Sequence, residues 1–434
     1  MNINSQRIRR LSKESIWIAT GQIISMLGAL ALVKFLTESL QPSEYGMLAL
    51  GLTITGLANQ VVMGGIANGI GRYFLVAAER GDMNNYFRTA KYIMSYATIA
   101  VAGLATLAII ILTLIDLVQW IGVAIAALVF STLSGINTTM NGVQNAARQR
   151  ATVALHNGAD AWLKIGFAAG AILWFEASSA VVIIGYSVAA IVVILSQLFF
   201  LFRLLSLYPV KINSPLKQKY WVKKIWSFSW PISFWGVFTW IQQASDKWAL
   251  EYFHSTDEVA GYVVLYQLAF VPVSLASGLI VSLISPIMYH RAGDAKDGSR
   301  VGAVYTSTKY ITLFVFLMSL IGAIISLFWH KEIFSILANG QYNTYSYLMP
   351  WMVIASGLQA CHHVMGVRIS SIMKVRSIMW AQIISALVFS IINILGVFFG
   401  GVEGLVYGFT IASFLYFLWI MVFSNILNPS SRLI

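Results

Sequence analysis

Long apolar stretches alternate with short polar ones along the whole chain. A helix needs about 20 apolar residues to cross the hydrocarbon core of a bilayer, and twelve stretches approach that length. They lie at about 15–37, 45–68, 91–115, 119–140, 153–175, 179–202, 226–250, 259–287, 310–329, 347–367, 377–399 and 404–426. The polar segments between them are too short to hold a folded soluble domain. The pattern therefore predicts an all-α, polytopic membrane protein with about twelve transmembrane helices.

The composition agrees with this pattern. Of the 434 residues, 58% are hydrophobic and 10% are charged, whereas a soluble domain is about 45–50% apolar and about 25% charged. These values exclude an ordinary soluble enzyme, a disordered chain and a disulfide scaffold. The single cysteine, Cys361, rules out a disulfide within these residues.

The charges are distributed unevenly between the loops. A formal net charge of +12 would suggest a nucleic-acid partner in a soluble protein. Here the N-terminus and every second loop after it hold 24 basic and five acidic residues, whereas the other loops hold one basic and nine acidic residues. Basic residues concentrate on the cytoplasmic side of membrane proteins. We therefore expect cytoplasmic N- and C-termini, an even number of spans and no nucleic-acid partner.

Four short motifs recur in the same order in both halves of the chain. The matched pairs are Lys34 with Lys247, Gly81-Asp82 with Gly293-Asp294, Lys91-Tyr92-Ile93 with Lys309-Tyr310-Ile311, and Arg148-Gln149-Arg150 with Lys374-Val375-Arg376. This order predicts two six-helix lobes, 1–205 and 226–434, joined by a basic cytoplasmic linker at 206–225. Parallel repeats with a substrate site between them are a transporter architecture.

The sequence contains no recognisable catalytic motif. There is no G-x-x-x-x-G-K-[ST] phosphate loop, no G-x-S-x-G elbow and no Cys/His spacing typical of a metal site. Gly65 and Gly69 lie four residues apart in an apolar stretch, which favours close helix packing over phosphate binding. We therefore predict a non-enzymatic protein without an ATPase, a metal site or a cofactor, other than a coupling ion such as H⁺ or Na⁺.

Five ionisable side chains lie within or at the ends of the predicted spans, where a charge is costly and marks a functional site by default. They are Lys34, Asp160, Lys164, Asp246 and Lys247. His156, Asp160 and Lys164 recur every four residues and so share one helix face. Two interpretations stay open. Either they line a central cavity, with Asp160 as an ion-coupling carboxylate, or Asp160 and Lys164 neutralise each other.

The seventh predicted span is unusually polar near its outer end, around Asp246 and Lys247. Asp246 is a second candidate for ion coupling. Adjacent residues point about 100° apart on a helix, so the two are not expected to face one groove squarely. Lys34 and Lys247 either extend to the outer headgroups or form a cationic wall that can hold phosphate.

Tryptophan is concentrated around the same span. Trp221, Trp226, Trp230 and Trp248 are expected at the membrane interfaces, where this residue is enriched. Trp240 is expected deeper, where its ring either fills the core or presents a flat face to a sugar.

Three segments resemble motifs of one family. Leu32-Val33-Lys34-Phe35-Leu36-Thr37 with Leu40-Gln41-Pro42-Ser43-Glu44-Tyr45-Gly46 resembles the R-x-L-T-x-x-L-x-P-x-x-Y-G opening of bacterial polysaccharide flippases. Gly69-Ile70-Gly71-Arg72-Tyr73-Phe74 is similar to the glycine-then-arginine-aromatic end of their second helix. Ser245-Asp246-Lys247-Trp248 with Ala260-Gly261-Tyr262 resembles a stretch of their second lobe.

The family resembled is that of the Wzx-type O-antigen and exopolysaccharide flippases, in the same superfamily as the MATE drug exporters. The resemblance implies translocation of an undecaprenyl-pyrophosphate-linked oligosaccharide from the inner to the outer leaflet of the bacterial cytoplasmic membrane by alternating access. Membrane lipids, a polysaccharide polymerase and a chain-length regulator are the other partners it implies. The family has a cationic cavity, and the resemblance makes Arg72, Lys34 and Lys247 candidates for substrate binding there. Lys164 and Trp240, singled out above, are two further candidates for the cavity. Lys stands at 34 and 247 where the family often has Arg, and Lys lacks the bidentate fork of Arg.

Two other functions compete with this one. A MATE-like drug or cation antiporter needs buried carboxylates, and Asp160 and Asp246 each lie beside or one turn from a lysine. A membrane enzyme such as an O-antigen polymerase is expected to carry a large outer loop. The longest predicted outer loop runs only from about His330 to Tyr345.

Overall fold

The computed structural model describes residues 3–114, 116–206, 218–293, 297–371 and 375–426. Every regular element in these ranges is a helix, which confirms the all-α class. In chain order the α-helices are α1 (Ile3–Ser39), α2 (Pro42–Leu57), α3 (Gly64–Arg80), α4 (Met83–Leu114), α5 (Ile121–Ala146), α6 (Arg150–Trp174), α7 (Ser179–Leu205), α8 (Gln218–Phe253), α9 (Thr256–Leu265), α10 (Val271–Ala292), α11 (Gly298–Leu337), α12 (Met349–Ser371) and α13 (Val375–Ile426).

Two long helices contain a wider, π-helical stretch. Ala58–Met63 joins α2 to α3, and Tyr266–Phe270 joins α9 to α10. Each of these composite helices is the second long helix of its half of the chain. Gly81 and Gly293, which follow α3 and α10, both have positive φ angles, 68° and 61°. Gly81 is left-handed helical with a ψ of 22°, whereas Gly293 has a ψ of −124°. A glycine adopts a positive φ without a steric cost, so both positions favour glycine although the backbone leaves the two helices differently.

Eight helical stretches of the described part are long and apolar enough to cross a membrane, by length and composition. One of them, Gln382–Ser424, contains most of the last two predicted spans, and α13 leaves helical backbone values at Gly400 and Gly401, between those spans. The predicted spans within α6, α8 and α12 are not among the eight. The protein is thus a multi-pass membrane protein, and the number of twelve spans stays a prediction.

The chain forms two compact units. The first contains Met1–Leu32 and Ser39–Trp240, and the second contains Val33–Glu38 and Ile241–Ile434. The division falls inside α8 and inside α1, within helices. Residues 207–217 of the predicted linker lie outside the described residues, as does Asp294 of the repeated motif. The lobe boundaries 1–205, 206–225 and 226–434 therefore stay predictions.

In the first unit, the start of α8 is anchored in the core. Trp221 is fully buried, and its Nε1 donates a hydrogen bond to Asp82 Oδ2 at 2.7 Å. Asn85 Nδ2 donates to Asp82 Oδ1 at 2.9 Å. The Trp221 indole therefore faces the protein interior, where a buried carboxylate satisfies its N–H, and its place at the level of a membrane interface stays a prediction.

The first unit also brings α3 against α8 through small residues. A Cβ atom on Gly65 would lie 2.8 Å from Ser229 O, and one on Gly69 would lie 3.1 Å from Ile225 O. The side chains of Ser233 and Ser229 lie closer still. Any larger residue at 65 or 69 would push the helices apart. The predicted packing role of Gly65 and Gly69 is confirmed.

Candidate functional site

The Asp160–Lys164 pair lies on α6 in the first unit. Lys164 Nζ is 2.6 Å from Asp160 Oδ2, and each side chain keeps about a fifth of its surface exposed. The same ammonium lies 5.3 Å from the ring centre of Phe130 and 6.0 Å from that of Tyr186. The pair is therefore internally neutral, and two aromatic faces provide a further attraction for the lysine charge.

His156 occupies the same face of α6 but is buried. Its Nδ1 lies 2.8 Å from Thr152 O, and its Nε2 lies 3.0 Å from Ser196 Oγ on α7. Both ring nitrogens therefore have a partner. His156 therefore joins α6 to α7. Of the three residues predicted to share this helix face, only Asp160 and Lys164 keep part of their surface exposed.

A chain of side-chain amides crosses the first unit beside this pair, and the sequence analysis missed it. Gln197 Nε2 donates to Asn141 Oδ1, and Asn141 Nδ2 donates to Asn157 Oδ1, each at 2.9 Å. The chain therefore links α7, α5 and α6. Asn157 is exposed and lies one turn before Asp160, so the amide network ends beside the ion pair.

Two glutamines of this region have buried polar atoms without a partner in the part of the chain that the structure describes. They are Gln144, with both side-chain polar atoms, and Gln197, with Oε1. Buried amides are normally satisfied by protein, water or an ion. The signal in the sequence is the spacing of Asn137, Asn141 and Gln144, which places three amides on one face of an otherwise apolar helix.

Arg72 lies on α3 in the first unit and is exposed. Its guanidinium has no hydrogen bond or ion pair with any described residue. Trp240 of α8 is partly buried, and its Nε1 donates to Thr53 O on α2 at 2.7 Å. This bond fixes the position of the indole and occupies its only polar group.

The second unit contains the Asp246–Lys247 pair. Asp246 is 1% exposed, and its Oδ1 lies 3.1 Å from Lys247 Nζ. Its Oδ2 accepts a hydrogen bond from the hydroxyl of Tyr262 at 2.7 Å. Lys247 Nζ also donates to Gln243 O at 2.8 Å and lies 5.0 Å from the ring centre of Tyr266.

The side chain of Lys247 keeps only 12% of its surface exposed and folds back along α8 to Gln243. This position disfavours the interpretation that Lys247 extends to the outer headgroups, and its place in a cationic wall stays a prediction. Lys247 also meets Asp246 although the two residues are adjacent. A long, flexible side chain can offset the 100° between neighbouring positions.

Lys34 contacts the end of α11 within the second unit. Its Nζ donates to Ser335 O at 3.2 Å and to Ala338 O at 2.9 Å, and it lies 3.0 Å from Glu38 Oε1. Carbonyl groups at a helix C-terminus carry partial negative charge, which a lysine stabilises. Lys34 is thus an anchor between α1 and α11 as well as a candidate cation.

The structure therefore pairs four of the five ionisable span residues with each other and the fifth with Glu38. Within the described residues, no group of three or more His, Cys, Asp or Glu side chains could hold a metal ion. What the pairs provide chemically is two carboxylates, each of which neutralises a lysine. When such a carboxylate is protonated or binds a cation, it no longer neutralises its lysine, and the pair as a whole gains a positive charge.

A sequence model of the family described as "Polysaccharide biosynthesis protein" matches residues 11–290. No curated protein matches the sequence of the chain. An inward-facing MATE family multidrug resistance transporter of the MOP superfamily is similar in structure, with a TM-score of 0.67, 14% identity and 96% coverage of both chains.

Two further solved structures are similar over nearly the full length. A MOP superfamily transporter from Pyrococcus furiosus, whose description notes reverse polarity of the binding pocket, has a TM-score of 0.65, 15% identity, and coverage of 96% of this chain and 95% of that one. The Vibrio cholerae MATE transporter VcmN in its bent form has a TM-score of 0.61, 14% identity, and coverage of 98% and 99%. At these identities the similarity shows the fold, which is that of the MATE transporters.

Proposed function

The chain belongs to the polysaccharide biosynthesis protein family, and on this premise we propose that it moves undecaprenyl-pyrophosphate-linked oligosaccharide units from the inner to the outer leaflet of the bacterial cytoplasmic membrane. The observation that carries the proposal is the combination of this family with a transporter fold over 96% of the chain. A polysaccharide pathway whose precursors are made on a lipid needs a membrane protein that moves them between leaflets.

The pyrophosphate of such a substrate requires a cation, and Arg72 is the best candidate. Of the four predicted cationic residues, Lys164, Lys247 and Lys34 each have a carboxylate partner. Arg72 has none among the described residues. A guanidinium can bind phosphate oxygens in a bidentate way. The anchored indole of Trp240 offers a flat surface for a sugar ring.

The two Asp–Lys pairs provide a means of coupling transport to an ion. When H⁺ or Na⁺ occupies Asp160 or Asp246, the neighbouring lysine loses its counter-ion. An unpaired lysine attracts phosphate more strongly, so occupancy by the ion and affinity for the substrate are linked. An ion gradient or the membrane potential can then drive the cycle.

The proposal is tested by complementation of a bacterial strain that lacks its own flippase. We expect the wild-type protein to restore surface polysaccharide, and Arg72→Ala to reduce it severalfold at an equal protein level in the membrane. Arg203→Ala, another exposed arginine at a predicted cytoplasmic end, is the matched control and is expected to retain activity.

The same strain distinguishes the MATE-like antiporter from the flippase. An antiporter of cationic drugs would confer resistance to cationic dyes without restoring polysaccharide. That result, or full activity of the Arg72 variant, would contradict the proposal. Both carboxylates of the described pairs are already engaged by lysine, which disfavours recognition of an organic cation.

A further inference from the structure

A groove of about 620 Å³ lies between α4 and the beginning of α8, within the first unit. Its lining residues are Arg88, Lys91, Tyr92, Ser95, Gln218, Lys219 and Val222. The volume lies within the roughly 300–1,000 Å³ typical of small-molecule sites. Both helix ends belong to the side of the protein where the basic residues concentrate.

Three cationic side chains of this groove are uncompensated. Arg88, Lys91 and Lys219 are exposed, and no described residue forms an ion pair or hydrogen bond with their charged groups. Helix α4 contains no acidic residue, and α8 has none before Asp246. The nearest carboxylate in sequence, Asp82, is buried and bonded to Trp221 and Asn85. The groove therefore has a net positive charge.

On both helices the basic turn is followed by aromatic and then apolar residues. On α4, Arg88 and Lys91 precede Tyr92 and Tyr96, whose hydroxyls lie 3.2 Å apart, and the exposed Ile99 comes next. On α8, Lys219 precedes Trp226 and Trp230, both more than half exposed. Basic, aromatic and apolar layers in this order match the headgroup, the interface and the acyl region of a leaflet.

We propose that this groove binds the phosphate headgroup of an anionic membrane lipid, with Arg88, Lys91 and Lys219 on the phosphate and the aromatic side chains beside the upper acyl chains. Basic pockets between transmembrane helices at the cytoplasmic surface are suited to such headgroups. Phosphatidylglycerol, cardiolipin and undecaprenyl pyrophosphate share this chemistry. The site does not depend on the transport activity proposed above.

The test is lipid binding to the purified protein, measured by native mass spectrometry in a neutral detergent. The probes are phosphatidylglycerol, cardiolipin, undecaprenyl pyrophosphate and, as an uncharged comparison, phosphatidylcholine. We expect the wild-type protein to bind the anionic lipids and the triple variant Arg88→Gln/Lys91→Gln/Lys219→Gln to bind them at least about tenfold more weakly. A preference among the three anionic probes identifies which lipid the groove selects.

The control variant removes three positive charges at other positions on the predicted cytoplasmic side. Arg148, Arg203 and Lys309 are exposed, and their triple replacement by Gln is expected to leave lipid binding unchanged. The variant Lys91→Arg/Lys219→Arg is expected to keep binding, because it keeps the charge. Equal binding by the wild-type protein and the Arg88 triple variant would overturn the proposal, and so would inorganic pyrophosphate binding as tightly as the lipids. Since all three replaced side chains are exposed, the variant is expected to elute and unfold like the wild-type protein.

Discussion

At the scale of single residues, Lys164 has more favourable electrostatic contacts than Asp160, its ion-pair partner. Lys164 is attracted by the carboxylate and by the rings of Phe130 and Tyr186. Asp160 has Lys164 as its only ion-pair partner among the described residues. Loss of the lysine therefore leaves the carboxylate without an ion-pair partner among the described residues, whereas loss of the carboxylate leaves the lysine over two aromatic faces.

We expect Lys164→Met to destabilise the protein more than Asp160→Asn does, by about 1 kcal/mol. Both losses should be smaller than the roughly 3–5 kcal/mol of a fully buried pair, because both side chains are partly exposed. The double variant should recover part of the loss, since it leaves no unpaired charge. Thermal unfolding in detergent measures the stability of the two single variants and of the double variant. Equal destabilisation by the two single variants would contradict this account.

The sequence offered one of the ion pairs as an open interpretation and gave no sign of the others, for a local reason. Asp160 and Lys164 lie four residues apart, a spacing that brings side chains together on any helix. Asp246 and Lys247 are adjacent and meet only because the lysine folds back toward Gln243. The Lys34 contacts with Ser335 and Ala338 join residues about 300 positions apart, and no local pattern encodes such a contact.

At the scale of helices, the contact between α3 and α8 depends on two glycines, whereas a glycine of α4 contacts no described neighbouring helix at its side-chain position. Gly65 and Gly69 lie against α8 backbone, whereas Gly103 on α4 has open space where a side chain would be. The chain therefore offers a matched comparison of the same residue type in two environments.

We expect Gly69→Leu to destabilise the protein by roughly 1–3 kcal/mol or to prevent folding, because its side chain would overlap Ser229 and Ile225. Gly103→Leu should be tolerated. The readouts are the yield of monodisperse protein and its unfolding temperature. If both variants behave like the wild-type protein, α3 and α8 do not pack as described.

Hydropathy predicted the positions of the helices well, including the break near Gly400, which separates the last two apolar stretches. It gave no sign of the π-helical stretches Ala58–Met63 and Tyr266–Phe270. Hydropathy averages over a helix, and a single extra residue in one turn does not change that average. The sequence also could not predict which helix packs on Gly65 and Gly69, because that helix lies some 160 positions along the chain.

At the scale of the whole molecule, charge asymmetry predicts an orientation that labelling can measure. Cys361, the only cysteine, is fully buried, so the wild-type protein should give little background with a membrane-impermeant maleimide. Asn84 and Ala177 are exposed at opposite predicted sides.

In intact cells we expect Ala177→Cys to be labelled and Asn84→Cys to be labelled only after the membrane is permeabilised. This follows from the basic residues around Asn84, which the positive-inside rule places in the cytoplasm. Labelling of Asn84→Cys in intact cells would show that the protein has the opposite orientation to the predicted one. Equal labelling at both positions would contradict the predicted number of spans between them.

The division of the chain into two compact units falls inside α8, between Trp240 and Ile241. Hydropathy treats each long helix as one element, so it gives no sign of a division within one. The repeat and the lobe boundaries 1–205, 206–225 and 226–434 stay predictions. Only contacts across the fold, such as those of Gly65 and Gly69 with α8, assign the first half of that helix to the first unit.

The π-helical stretch before α3 constrains the number of residues at this place as well as their identity. One residue more or fewer in Ala58–Met63 would turn everything after it by about 100°. Gly65 and Gly69 would then leave the face of α8, and Arg72 would rotate with them. Homologues are therefore expected to show almost no insertions or deletions here, and to keep the positions of Ala58 and Met63 suited to burial. An alignment gap within these six residues would mark a protein in which α3 packs differently.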